Sequence, residues 1–112
     1  MSVASGRRRG AEAQNWLADW YRAEGWPFAE SVGAGRQGAD ITGLPGLAPE
    51  VKASHEFRLE SWLRQAEMRQ GIPYVIYRGN GLGVAQIRRW PVIMRLDEHT
   101  ALLRAAGYGD GS

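Results

Sequence analysis

Apolar residues recur at helical spacing near the amino terminus, change to short extended runs in the middle of the chain, and return to helical spacing further on. Ala13, Trp16, Leu17, Trp20 and Tyr21 fall three and four residues apart. That interval puts them on one face of an α-helix, so the pattern predicts a helix over residues 7–24, stopped by Gly25. From Trp26 the period shortens: residues 27–32, 39–43 and 48–53 read as strands separated by glycine and proline turns, a three-stranded meander. A second helix is predicted over residues 57–70, with Leu59, Trp62, Leu63 and Ala66 on one face and Gly71 and Pro73 beyond its end. Residues 74–77 read as a buried strand, 78–81 as a turn, and 82–88 as a further strand folded back on it. Residues 90–96 are expected to be extended, and Asp97 is the expected N-cap of a last helix running to about Ala106.

This order predicts an α/β fold with a mixed central sheet flanked by helices, the helix at 57–70 linking strands that can lie parallel. No internal repeat or boundary interrupts the 112 residues, which suit one domain with one core, residues 1–6 and 107–112 being loose ends. An apolar fraction of 44% and five tryptophans favour a packed interior over disorder. Trp16, Trp20 and Trp62 fit helix faces, so packing accounts for them before base stacking does. Cysteine is absent, which removes disulfides, thiolate catalysis and Cys-ligated zinc. His55 and His99 are too separated to make a zinc site alone. Any metal is therefore expected to be hard and oxygen-bound. No run is apolar enough for a membrane span, and Arg7, Arg8 and Arg9 lack the apolar segment of a signal peptide behind them, so a cytoplasmic protein is expected.

A net charge of +2 and a pI near 9.4 permit a nucleic-acid partner without requiring one. The distribution says more: arginines cluster at Arg7, Arg8 and Arg9, at Arg58, Arg64 and Arg69, and at Arg88 and Arg89. Each cluster can meet phosphate, the plain alternative being solvated surface. Residues 33–38 spell GxGxxG after a predicted strand. A dinucleotide fingerprint must open a helix, whereas the next residues read as strand and turn, so no nucleotide cofactor is expected. Arg36 within this segment is a further candidate for a phosphate contact.

The chemistry concentrates in Asp40 and in Glu50-Val51-Lys52. Side chains alternate along a strand, so Glu50 and Lys52 project from one face while Val51 points to the other. An adjacent strand carrying Asp40 brings a second carboxylate beside Glu50. Magnesium accepts such a site, since it takes oxygen ligands and keeps several waters; Asp40, Glu50 and the Val51 carbonyl are the expected ligands. Lys52, the lone lysine of the chain, can orient water, offset developing charge, or act as a base, and the sequence leaves these roles open. The plain alternative is Asp40 in a turn and Glu50 with Lys52 as an exposed ion pair. Ser54 and His55 lack the elbow and third member of a nucleophile triad.

A helix with a glutamate, a strand with Asp40, a strand with Glu50-Val51-Lys52 and a helix with Gln65 together resemble the PD-(D/E)xK nuclease superfamily, and at this length its Holliday junction resolvase branch. The resemblance covers residues 7 to about 88, with Ala39 standing where the name motif has proline. It implies a restriction-endonuclease-like αβββαβ core and a magnesium site, manganese able to substitute, completed by Glu12 from the first helix. It further implies that Gln65 joins Asp40, Glu50, Lys52 and Glu12 in catalysis, and that a homodimer cuts four-way DNA junctions in bacterial or phage recombination and repair. Geometry is compatible with both added residues: Glu12 falls at the border of the apolar stripe, and Gln65 shares a flank with Arg58 and Arg69, within about 40° of one another. The expected DNA contacts are Arg7, Arg8, Arg9, Arg36, Arg58 and Arg69. The same residues suit a nicking or fork nuclease, a non-catalytic nucleic-acid-binding module, or an accessory subunit of a recombination assembly.

Overall fold

The long amphipathic stripe at the amino terminus supplies one wall of the core. The structure, a computed structural model, describes residues 3–32 and 40–110, with side chains described from residue 8 onward in these ranges. Helix α1 (Val3–Ala23) begins four residues before the sequence pattern predicts. It buries Ala13, Leu17 and Ala18 and ends where Gly25 takes a φ of +119°, a conformation open to glycine. Two short strands follow, β1 (Glu30–Ser31) and β2 (Ile41–Thr42), paired antiparallel as a ribbon. Then come β3 (Leu47–Lys52), α2 (Leu59–Glu67), β4 (Ile72–Tyr77), β5 (Val92–Ile93) and α3 (Leu96–Ala105).

The result is an α/β fold with a mixed three-stranded sheet of order β3-β4-β5. β3 and β4 run parallel, as expected of strands joined through α2, and β5 is antiparallel to β4. The expected three-stranded meander is not formed: β1 and β2 make their own ribbon and β3 heads the second sheet. Pro49 supplies a reason. Lys52 O accepts from Arg78 N and Gly46 O from Ile72 N, so even-numbered residues of β3 bond to β4 and odd-numbered ones face the free edge. Pro49 sits on that edge with no N–H to donate, which breaks any ladder to β2.

A second departure lies at residues 82–88, expected as a strand and found as a 3₁₀ helix, Val84–Arg89. Gly83 N–H donates to the Gln86 side-chain oxygen at 2.9 Å, which curls the chain locally. Val92 and Ile93 take the β4 edge instead, opposite Ile76 and Val75. The last helix starts at Leu96, with Arg95 at its N-cap. Asp97 therefore lies in the first turn, where its charge meets the helix dipole, rather than at the cap.

Alternation sorts the sheet's two faces. Val51, Tyr74 and Ile76 join Ala13, Leu17, Ile41, Leu44 and Trp90 beneath α1, while Val75 packs with Trp62 and Leu63 beneath α2. Of the tryptophans expected in helix packing, Trp62 is buried and Trp16 and Trp20 are half-buried. No helix among the described residues is long and apolar enough to cross a membrane.

Two glycines close the turns that bring these layers together. A Cβ at Gly43 would lie 1.9 Å from the Phe28 carbonyl oxygen, and one at Gly71 would lie 2.8 Å from the Gly46 backbone, both at positive φ. Gly43→Ala and Gly71→Ala are each expected to cost about 3 kcal/mol or more, because clash adds to backbone strain. Gly81→Ala, at a φ of +77° but with open space around it, should cost about 1 kcal/mol, from strain alone. Thermal unfolding followed by circular dichroism reads the order.

Candidate active site

Residue parity on β3 places Glu50 and Lys52 on the α2 face, opposite Val75 and Tyr77 of β4. Glu50 is 4% exposed, and a carboxylate that dry needs cations. It has two: Lys52 Nζ lies 3.0 Å from Oε2, and Arg69 Nη1 lies 2.6 Å from Oε1. Arg69 also donates to Pro49 O at 3.4 Å. Asp40 enters from the ribbon side, where its Oδ2 accepts the Val51 amide N–H at 2.7 Å. A side chain thus takes the β3 edge bond that Pro49 denies to a neighbouring strand. Asp40, Glu50, Lys52 and Arg69 interact as one charged group.

Burial raises the Asp40 carboxyl above its ordinary value, and the Glu50 charge adds to this. The Val51 N–H, Arg69 and Lys52 pull the other way without cancelling it. As donors, the group offers the two carboxylates and the Val51 carbonyl, which alternation turns to the free edge beside Asp40. Among the described residues no three or more His, Cys, Asp and Glu side chains gather for a metal, so the donor set is two carboxylates with a backbone oxygen. That suffices for magnesium, which keeps waters and takes substrate oxygens as further ligands.

Glu12 is elsewhere. Its Oε1 accepts from Arg78 Nη1 at 3.2 Å, on the α1 face. Arg78 is 6% exposed, donates to Arg9 O and Leu82 O, and lies 4.7 Å from the Trp16 ring centroid. Gln65 is exposed on α2. Glu60 and Glu67 of that helix turn to Arg95, which follows β5. Gln65 lies about 150° round the helix from them, so its flank overhangs β3.

The arginines expected on DNA divide. Arg8 is exposed. Arg9 instead donates to Gly79 O at 3.2 Å, and its buried Nε has no partner among the described residues. Arg58 is exposed but paired with Glu56. Arg69 lies just past the end of α2 at Glu67 and is engaged by Glu50 and Pro49 of β3. The Arg7 side chain, Arg36 and the glycine-rich segment 33–38 lie outside the described residues. Past that segment the chain enters β2, not a helix.

Sequence reasoning missed the Arg69–Glu50 pair. The available signal was that a strand glutamate turned toward a helix needs a counterion, and the α2–β4 connection returns beside β3. It also missed Gln14, 7% exposed, whose Oε1 lies 3.5 Å from Ser31 Oγ. A separate apolar cavity of about 320 Å³ is lined by Tyr21, Trp26, Tyr74 and Met94, on the α1 side of the sheet. Its Tyr21 and Tyr74 hydroxyls bond to each other, and burial raises both above the usual phenol range.

Two outcomes follow from this electrostatic arrangement. A raised acid favours the folded state while protonated. The Asp40 contribution therefore falls as pH climbs from the ordinary carboxylate range through the elevated folded value, and is flat above it. Asp40→Asn, which keeps an acceptor for the Val51 N–H, should melt higher than the parent at neutral pH and lose that advantage near pH 3; melting curves across pH measure the difference. Arg69→Met leaves a buried carboxylate with Lys52 alone and should cost about 3 kcal/mol. Adding Glu50→Gln to Arg69→Met should recover part of that loss in urea titrations.

Comparison of the chain with protein-family models, with curated proteins and with solved structures finds no match in any of the three, so the resemblance to PD-(D/E)xK nucleases rests on the residues themselves.

Proposed function

We propose that the protein is a magnesium-dependent DNA endonuclease with a restriction-endonuclease-like core, acting on branched DNA as a homodimer, with four-way junctions as its preferred substrate. The observation that carries the reading is the meeting of Asp40, Glu50 and Lys52 at one edge of β3. Asp40, Glu50 and the Val51 carbonyl would hold the magnesium, or manganese in its place. When bound, the ion polarises a phosphoryl oxygen and lowers the pKa of a coordinated water.

The chain's own groups supply the rest. Lys52, half-buried beside Glu50, keeps an ammonium where negative charge develops on the phosphate. Arg69, when Glu50 turns to other ligands, presents a planar guanidinium that suits a phosphate in two-point contact. Gln65, on the flank above β3, is placed to orient water or substrate, and Arg8, Arg58 and Arg64 are exposed for backbone contacts. Glu12, held by Arg78, acts through that pair rather than as a ligand.

A second reading has a specific observation behind it. Glu50 is already saturated by two cations, which suits a nucleic-acid-binding module that has no need of a metal. Incubating the protein with a synthetic four-way junction and a matched linear duplex, with and without magnesium, separates the two. The nuclease reading expects paired magnesium-dependent cuts across the junction, and rates reduced roughly 100-fold or more in Asp40→Asn and Lys52→Ala. Cleavage by Asp40→Asn at the parent rate would end the site assignment. Metal-independent binding with no cleavage by the parent would favour the module.

A further inference from the structure

An exposed aromatic ring stands in the connection that leaves β3 after Lys52. Phe57 is 55% exposed in an otherwise polar connection between β3 and α2. Its ring lies 5.2 Å from Trp62 at an interplanar angle of 78°, and 5.2 Å from Tyr77 at 79°. Trp62 and Tyr77 are themselves stacked, 5.7 Å apart at 28°. Two near-perpendicular contacts fix the ring while leaving more than half of the residue in water. Tyr77 OH further donates to Ser54 O at 3.4 Å, which ties the connection to β4.

The position matters as much as the exposure. Tyr77 is the β4 residue opposite Lys52, so its side chain and the lysine share the α2 face. One strand spacing plus one ring contact puts Phe57 on the order of 10 Å from Lys52, at the carboxyl ends of the two parallel strands. The neighbouring Glu56 and Arg58 pair with each other, so the rim beside the ring adds little net charge. What Phe57 offers a ligand is a flat apolar surface. We propose that Phe57 is a stacking platform for an unpaired nucleobase of the DNA bound at the Asp40–Glu50–Lys52 group. The proposal rests on the nuclease reading for the identity of the ligand and deepens it.

The chemistry selects an unpaired base. Within a continuous duplex both faces of every base are already stacked, whereas a single-stranded end, or a branch point whose arms the protein holds unstacked, leaves a face open to an aromatic side chain. Stacking is indifferent to sequence, because every base has such a face. Phe57 thereby gives the site a preference for discontinuous DNA that its cations, which meet phosphates on any duplex, do not provide.

The test uses a four-way junction carrying 5-iodouracil at its branch point, and a linear duplex with the same substitution. Each is irradiated with the full chain in calcium in place of magnesium, so that binding is read without cleavage. The expected result is a cross-linked peptide containing Phe57. Phe57→Leu keeps an apolar cover over Trp62 and, once its melting curve shows it folded, should lose the cross-link. Its junction affinity should fall roughly tenfold while duplex affinity stays within about twofold. Phe57→Trp should retain both cross-link and preference. A cross-link absent from the parent, one mapping to another residue, or equal losses on junction and duplex would overturn the assignment. The magnesium cleavage assay is scored in parallel. No cleavage with the cross-link intact sinks the nuclease and leaves the stacking site, and cleavage without the cross-link does the reverse.

Discussion

A carboxylate held away from water on the face of a strand organises this protein. Glu50 is 4% exposed and would be costly to bury alone, because the interior cannot replace its hydration. Lys52 and Arg69 compensate from different directions, one along the same strand and one from the connection into β4. The second depends on the parallel register: Ile72 opposes Leu47, and Ile72 N donates to Gly46 O at 2.8 Å. That start point, reached through Gly71 at a φ of +113°, brings the chain back close enough for the Arg69 side chain to span to Glu50. The α2 crossover and the charged group are therefore one construction, in which the sheet cannot shift register without separating the ions.

A second ionic system occupies the other face and has a different character. Arg78 is buried among Trp16, Trp90, two carbonyl oxygens and Glu12. Guanidinium suits this place, since its planar donors serve several acceptors while its faces lie against aromatic rings. It clamps the amino-terminal half of α1 to the turn after β4, and Arg9 reinforces the clamp from the opposite side through Gly79 O. Glu12 and Arg9 thus act in holding α1 on the sheet. Had the two systems shared a face, Glu12 would have been available as a third acidic donor beside Asp40 and Glu50.

Element types were readable where a period ran long enough to be unambiguous. The stripe from Ala13 to Tyr21 and the one from Leu59 to Ala66 predict α1 and α2, and the helix between two apolar strands predicts the parallel pair. Short segments were read less well, because the two-residue strands β1, β2 and β5 carry no period. The 3₁₀ helix at Val84–Arg89 depends on a side-chain bond from Gln86 to the backbone, and β1 and β2 on their mutual register. Within the site, Glu50 and Lys52 on one face followed from parity alone. The partnership of Asp40 with the Val51 amide did not, because it required seeing that Pro49 leaves the β3 edge without a ladder. The partners of Arg69 and Glu12 were not foreseen, because a buried strand glutamate was not matched to the arginine returning after α2, nor a buried arginine to Glu12.

The balance of charge in the group bears on how it would take a substrate. With Asp40 ionised, two carboxylates face two cations, and the assembly is neutral. A divalent ion added to that set leaves an excess of two positive charges in a poorly hydrated place, which opposes tight binding of the metal alone. A phosphate alone meets Lys52 and Arg69 already engaged by Glu50, which opposes its binding as well. Brought together the two would relieve one another: Asp40 and Glu50 would hold the metal, Lys52 and Arg69 would be free to meet the phosphate, and each ligand would remove the cost the other carries alone. On the nuclease reading, affinity for metal and for DNA is therefore coupled through Glu50, because this buried carboxylate is the group that either the cations or the metal must hold.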